Sequence, residues 1–391
     1  MSLSLPSRTT LVGLSTAALL AACAAPRADT PAPMAPARDI VAATRLLEEG
    51  PALSTSAYQN AVDGEAERLA AGPLGREDAA AIAVLNDDSV RRTLAENLML
   101  SDGFVRDLVR AQGDAGGPSV EWRALRLALA RKETGARRDY GLAYAGAASA
   151  FVEAARDARV AWTEALAARQ AEALTADATV SLKAEAELAN EQYRAGTIPR
   201  GERARRQLAL AVALRAHGEA TAETIRTREA LVRRLGLWGG AATTLALPDA
   251  LPDLPETRPG TGGLEERALV RRLDLLAARH EGGSRGKAIA IRSEVREAAA
   301  LRLLAYDAAR HQRDIVVPEA EAVLEQAQRD YNGMLTDVFG LLEAVRGNLE
   351  EKRNLVAAVR DYWVADARLV AANGGPPESD DARTTMTEKK P

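Results

Sequence analysis

The chain of 391 residues has few aromatic side chains, 4% of the total, a single cysteine, Cys23, and three histidines. One thiol cannot close a disulfide, and His217, His280 and His311 stand too far apart to show the spacing of a zinc site. No dense lysine or arginine stripe with interleaved aromatics occurs, and the net charge of -4 comes from well-mixed signs, which argues against nucleic acid as a partner. The glycine-rich stretch Gly282-Gly-Ser-Arg-Gly286 has neither the flanking strand nor the lysine of a phosphate cradle, so it reads as a turn. Serines, histidines and acids are present without a nucleophile-elbow context, and pairs such as Glu265-Glu266 lie on a charged helix face. The expectation is a protein that is not an enzyme and needs no metal or other cofactor.

What is there begins with Arg8 and an apolar run from Leu11 to Leu20, too short to span a bilayer stably and ending in small residues, as a secretory signal peptide does. The run closes on Leu20-Ala-Ala-Cys23, which resembles the lipobox of bacterial lipoproteins. That resemblance implies cleavage after residue 22 and acylation of Cys23 with diacylglycerol and palmitate-type chains. Ala24 in place of aspartate is similar to the sorting signal of Gram-negative lipoproteins bound for the outer membrane, so the protein is expected on its periplasmic face, held by acyl chains. Residues 23–39, rich in alanine and proline, read as a disordered tether, and residues 374–391 as a disordered tail.

Between tether and tail the composition is 47% hydrophobic, mostly alanine and leucine, with arginine and glutamate supplying the charge. It favours long packed helices. Prolines and glycines concentrate in 239–263 and divide the chain into a first helical repeat, 40–238, and a second, 264–373. Each repeat opens with a similar short helix, Leu74 to Leu85 and Leu264 to Leu276. Tyr193-Arg-Ala-Gly196-Thr-Ile-Pro199 interrupts one long helical pattern and Tyr331-Asn-Gly333-Met-Leu-Thr336 the other, so Gly196 and Gly333 mark turns between antiparallel helices. In the last helix Leu342, Val345, Leu349, Val356, Val359, Trp363 and Val370 follow a heptad rhythm, with Lys352 and Asp366 as its polar members. Leu301, Leu304, Ala308 and Ile315 keep the rhythm in the preceding helix, where His311 reads as a polar register residue. A helix from about Ala124 to Tyr193 would be on the order of 100 Å long, with Gly135, Gly141 and Gly146 as candidate bends. The fold class is all-α: long antiparallel helical hairpins with coiled-coil packing in two structural repeats.

These strings resemble the TolC family of outer-membrane ducts. Leu74 to Val90 is similar to the family's opening helix, with Asp88-Ser89 where the family shows asparagine-proline. The two turns are similar to its periplasmic tips, and Arg228 to Leu237 with Arg272 to Arg279 to its inter-repeat junction. Ile291 to Glu297 and Asp361 to Asp366 are the nearest matches. The resemblance implies a homotrimeric export duct whose tips, here Gly196, Thr197, Gly333 and Met334, meet a periplasmic adaptor protein of an efflux pump.

The family also carries a β-hairpin in each repeat, from which a membrane barrel is built. A spanning strand needs ~10 residues of alternating character. The one candidate in the first repeat, Val120-Glu-Trp-Arg-Ala124, is about half that length, and in the second Arg279 to Gly286 runs almost directly into the next helix. Two readings therefore stand: a periplasmic helical component of an envelope export system, or a barrel-less scaffold lipoprotein that conducts nothing.

Overall fold

The computed structural model describes residues 72–86, 138–272, 274–275, 278–279 and 283–375. Cys23, the leader, the tether, the strand candidate Val120–Ala124, Gly135 and His280 lie outside the described residues. Most of those described are helical, and the one extended pairing among them is a bridge in which the Leu74 N–H donates to the Ala246 carbonyl at 2.9 Å.

The elements are α1 (Arg76–Asn86), α2 (Arg138–Arg194), α3 (Arg200–Leu235), α4 (Gly239–Thr244), α5 (Leu264–Arg271), α6 (Ser284–His311), a π turn (Gln312–Val316), α7 (Val317–Asn332) and α8 (Val338–Ala372). At 57 residues α2 is about 86 Å long. It passes through Gly141 and Gly146 as one element, and its sequence contains no proline before Pro199. Phe151, Ala155, Ala158, Trp162 and Ala165, buried in alternating four- and three-residue steps, form its packing seam. The long helices pack side by side in the order α3, α2, α8, then α6 with α7, and α1 lies over α2 and α3. This open layer has two free edges, α3 on one side and α6–α7 on the other.

The two expected seams do not share one environment. Leu301, Leu304, Ala308, His311 and Ile315 are exposed, and α6 meets its neighbours instead through buried Ile291, Val295, Ala299, Tyr306 and Ala309. Helix α6 carries two apolar stripes, and its rhythm alone does not say which faces the rest of the chain. On α8 the heptad residues are half-buried, while Tyr362, Ala367, Leu369 and Ala372 are fully buried, because α8 is flanked on both sides by other helices. The opening helix of the second repeat ends at Arg271 rather than Leu276, with helical residues again at 274–275.

Burial concentrates where α1, the ends of the long helices and the 239–263 stretch meet. Leu74, Ile82, Trp162, Leu166, Leu231, Leu235, Leu245 and Leu251 form one cluster, and the Trp162 indole N–H donates to the Leu74 carbonyl at 2.7 Å. The proline-rich stretch is fastened along its length. The Trp363 indole donates to Pro252 O at 2.9 Å, the Tyr306 hydroxyl to Pro255 O at 3.0 Å, and Arg302 to Gly260 O at 3.0 Å. Asp366, a polar member of the α8 heptad, joins three elements: it accepts from Arg76 of α1 at 3.2 Å and from Arg302 of α6 at 3.4 Å. Arg76 also lies over the Trp363 ring, 4.9 Å from its centroid. Lys352 pairs with Glu321 of α7 at 3.0 Å, so both polar heptad positions hold interhelical ion pairs.

Residues 272–283 connect α5 to α6 in about the length of one membrane-spanning strand, and are helical at 274–275 and 278–279. Asp274 closes this connection, accepting from Arg272 at 2.7 Å and Lys287 at 2.9 Å. Burial alone would raise the Asp274 carboxyl, but hydrogen bonds from Arg272 and Lys287 outweigh it and hold the group at about 2.

Two outcomes follow for stability. Asp366→Ala leaves two largely buried guanidinium groups without their shared acceptor, and should lower unfolding free energy by roughly 2 kcal/mol or more in urea titrations followed by helical circular dichroism. Because the Asp274 pKa is depressed by folding, its contribution is complete above about pH 4 and fades as pH falls toward 2. The stability gap between the native chain and Asp274→Asn should therefore narrow across that window, and a gap constant with pH would remove the assignment.

Candidate functional site

The two turns that end the helical hairpins share one hydrogen-bonded geometry. In the first, Gly196 N–H donates to Tyr193 O at 3.0 Å and Thr197 N–H to Gln192 O at 2.9 Å. In the second, Met334 N–H donates to Tyr331 O at 3.1 Å and Leu335 N–H to Asp330 O at 2.8 Å. Both are Schellman-type ends, in which the residue after the helix adopts the left-handed conformation so that two orphan carbonyls are satisfied. Each is followed by an extended N-cap, Pro199 before α3 and Asp337 before α8. The Asp337 side chain accepts the Gly340 N–H at 2.9 Å.

This geometry moves the expected equivalence by one residue. Gly196 has φ 72°, as its role requires, but Gly333 has φ -81° and ψ 0°. The left-handed residue of the second tip is Met334, at φ 59°. Thus Tyr331 corresponds to Tyr193, Met334 to Gly196 and Leu335 to Thr197. The glycine of the second turn falls one position early, and a methionine takes the conformation that L side chains disfavour by about 1–2 kcal/mol. The spacing from the two tyrosines carries this register in the sequence, whereas pairing glycine with glycine hides it.

The tips differ in chemistry. At the first, the Thr197 hydroxyl turns back to Gln192 O at 2.9 Å, Arg194 pairs with Glu191 at 2.6 Å, and Arg203 lies over the Tyr193 ring at 4.9 Å. At the second, Met334 is 94% exposed and Leu335 80%. Leu335 belongs to the site although its sequence offers no motif of its own. Behind the tips, Glu185 of α2 is fully buried between Arg206 of α3 at 3.2 Å and Arg346 of α8 at 3.4 Å. Arg206 also covers the Phe339 ring at 4.4 Å. One glutamate among many in a charged helix gives no local signal of this role, which ties three helices together near the turns.

At the opposite end of the layer, a cavity of about 790 Å³ opens between α2, α6 and α8. Several of its wall charges are paired with one another, Arg156 with Asp157 at 2.7 Å and Arg272 with Glu294 at 3.2 Å. Among the described residues no cluster of three or more histidines or acids is placed to hold a metal, and no helix is long and apolar enough to cross a membrane.

No protein-family profile and no curated protein sequence matches the chain. Its fold matches solved outer-membrane channels. The CmeC outer membrane channel of Campylobacter jejuni superposes with a TM-score of 0.56 at 11% identity, over 80% of this chain and 88% of that one. VceC of Vibrio cholerae gives 0.54 at 14% identity, over 82% and 99%, and the MtrE channel of Neisseria gonorrhoeae 0.52 at 14%, over 77% and 89%. At such identities the likeness establishes the two-repeat helical-hairpin fold.

The shifted register has a measurable consequence. Gly196→Ala should cost about 1 kcal/mol in urea unfolding, because alanine is strained at that φ. Gly333→Ala, at ordinary φ and with its nearest neighbour, Arg329 O, 3.4 Å from the added carbon, should cost little. Met334→Gly should stabilise by about 0.5–1 kcal/mol as strain is released. Equal losses at both glycines would contradict the assignment.

Proposed function

We propose that the chain is a non-enzymatic outer-membrane lipoprotein, anchored through Cys23, that serves as the periplasmic helical component of an envelope export system. It docks on an adaptor protein through its tips and associates with copies of itself, as a homotrimer, through its edges. The observation that carries this reading is the four-helix layer with two unpartnered edges, in a fold shared with outer-membrane channels. Edge α3 exposes Leu208, Val212, Leu214 and Ile225, and edge α6–α7 exposes Leu301, Leu304, Ile315 and Val323. Charge complements along the α7 part of that edge, since arginines outnumber acids on α3 while α7 carries Glu319, Glu321, Glu325 and Asp330 against one arginine; α6 is itself basic. Different surfaces that fit each other head to tail generate a ring when the rotation closes.

A second reading has its own support. The 272–283 connection has no room for two membrane-spanning strands, which favours a helical scaffold that conducts nothing by itself.

The tests separate anchor, ring and pore. Cys23→Ser should release the protein from carbonate-washed membranes, and retention there would defeat the anchor. The lipid-free mature chain should sediment as a homotrimer. Leu304→Arg, which puts a cation into the exposed apolar stripe of the α6–α7 edge, should shift it to monomer while helicity is kept. A monomer at every concentration would defeat the ring. In planar bilayers the pure protein should give no stable conductance, and reproducible single-channel steps would show that the second reading is wrong.

A further inference from the structure

The export reading treats the two tips alike, but their structures are unequal. Met334 holds a left-handed backbone with a large side chain that is 94% exposed, and Leu335 beside it is 80% exposed. Folding gains almost nothing from either: the backbone is strained, and the apolar surface stays in water. The matching positions of the first tip need no such sacrifice. Gly196 takes the left-handed φ freely, and Thr197 satisfies its hydroxyl on Gln192 O. Glycine is even available at 333, one residue from the place where it would relieve the turn. Backbone strain that a glycine at the same position would have avoided is characteristic of binding sites.

Charge separates the tips in the same way. Asp330 and Asp337 bracket the apolar pair in the second turn, whereas Arg194 and Arg200 bracket the first. We infer that the second tip alone grips the adaptor, with Met334 and Leu335 entering an apolar pocket ringed by basic groups. This inference rests on the export reading and narrows its contact to one turn in each copy. The unbranched thioether of Met334 adapts to an irregular pocket, and the Schellman hydrogen bonds hold the pair as a preformed knob. The first tip, with Arg194 paired to Glu191 and Arg200 beside the turn, offers no such acid pair to the basic collar.

The test places photoreactive benzoylphenylalanine at position 335 and, separately, at position 197 of the full lipoprotein in cells, and identifies crosslinked proteins by mass spectrometry. The expected product is a periplasmic adaptor, captured from 335 about tenfold or more above 197. That adaptor, purified, should bind the double variant Met334→Gly, Leu335→Thr about tenfold or more weakly than the native chain. The double variant gives the second tip the residues of the first, so it should keep its helical circular dichroism and melt no lower than the native protein. Equal capture from both positions, or unchanged binding by the folded double variant, overturns the inference and leaves adaptor docking intact. If neither position captures an adaptor, the docking reading itself fails and the inference with it.

Discussion

The carboxylate of Asp366 is where the two repeats become one body. It draws Arg76 from the opening helix of the first repeat and Arg302 from the second onto α8, and Arg76 in turn covers the Trp363 ring. Two guanidinium groups so little exposed need a shared counter-charge, since the Trp363 ring beside Arg76 and the Gly260 carbonyl beside Arg302 carry no full negative charge to offset their desolvation. Around this point the proline-rich stretch is drawn across the helices by carbonyls that accept from Trp363, Tyr306 and Arg302. Prolines cannot donate these bonds, but their carbonyls accept them without any regular structure.

Away from that belt the helices are held more sparingly. On α7 only Val317 is buried, and on α3 only Leu231, Val232 and Leu235 near its end. The tip halves combine buried Leu182, Ala186 and Ala189 of α2 with polar ties such as Glu185 with its two arginines and Lys352 with Glu321. The π turn belongs to the same economy. Pro318 has no N–H to offer Asp314, and the helix widens just before it, so that Val317 N–H reaches Gln312 O, five residues back. Gln312 compensates by donating its side chain to Glu351 of α8 at 2.7 Å.

This distribution accounts for the apolar residues left outside. A helix layer only one helix thick cannot bury both edges, so the stripes on α3 and α6–α7 stay in water until another surface covers them. The edges and the Met334–Leu335 pair are thus two places among the described residues where apolar surface stays in water, one along the helices and one at their ends.

Composition, heptad rhythm and the placement of glycine and proline determine by themselves that the chain forms long helical hairpins in two repeats with sharp turns near Gly196 and Gly333. Those properties are local, because each helix turn reports its own propensity and each break its own chemistry. What only the tertiary structure decides is which stripe of a helix faces its own chain and which faces outward. Leu301 and Leu304 have the rhythm of a core and lie exposed, while Tyr306 and Ala309 are buried. It also decides the partners of polar residues: Asp366 and Lys352 look like flaws in a seam until arginines and a glutamate from other helices meet them. The register of the second tip was written in the distance from Tyr331, yet the methionine in the glycine's place emerged only from the backbone. A Schellman end assigns φ by hydrogen-bond count from the last turn and not by residue type.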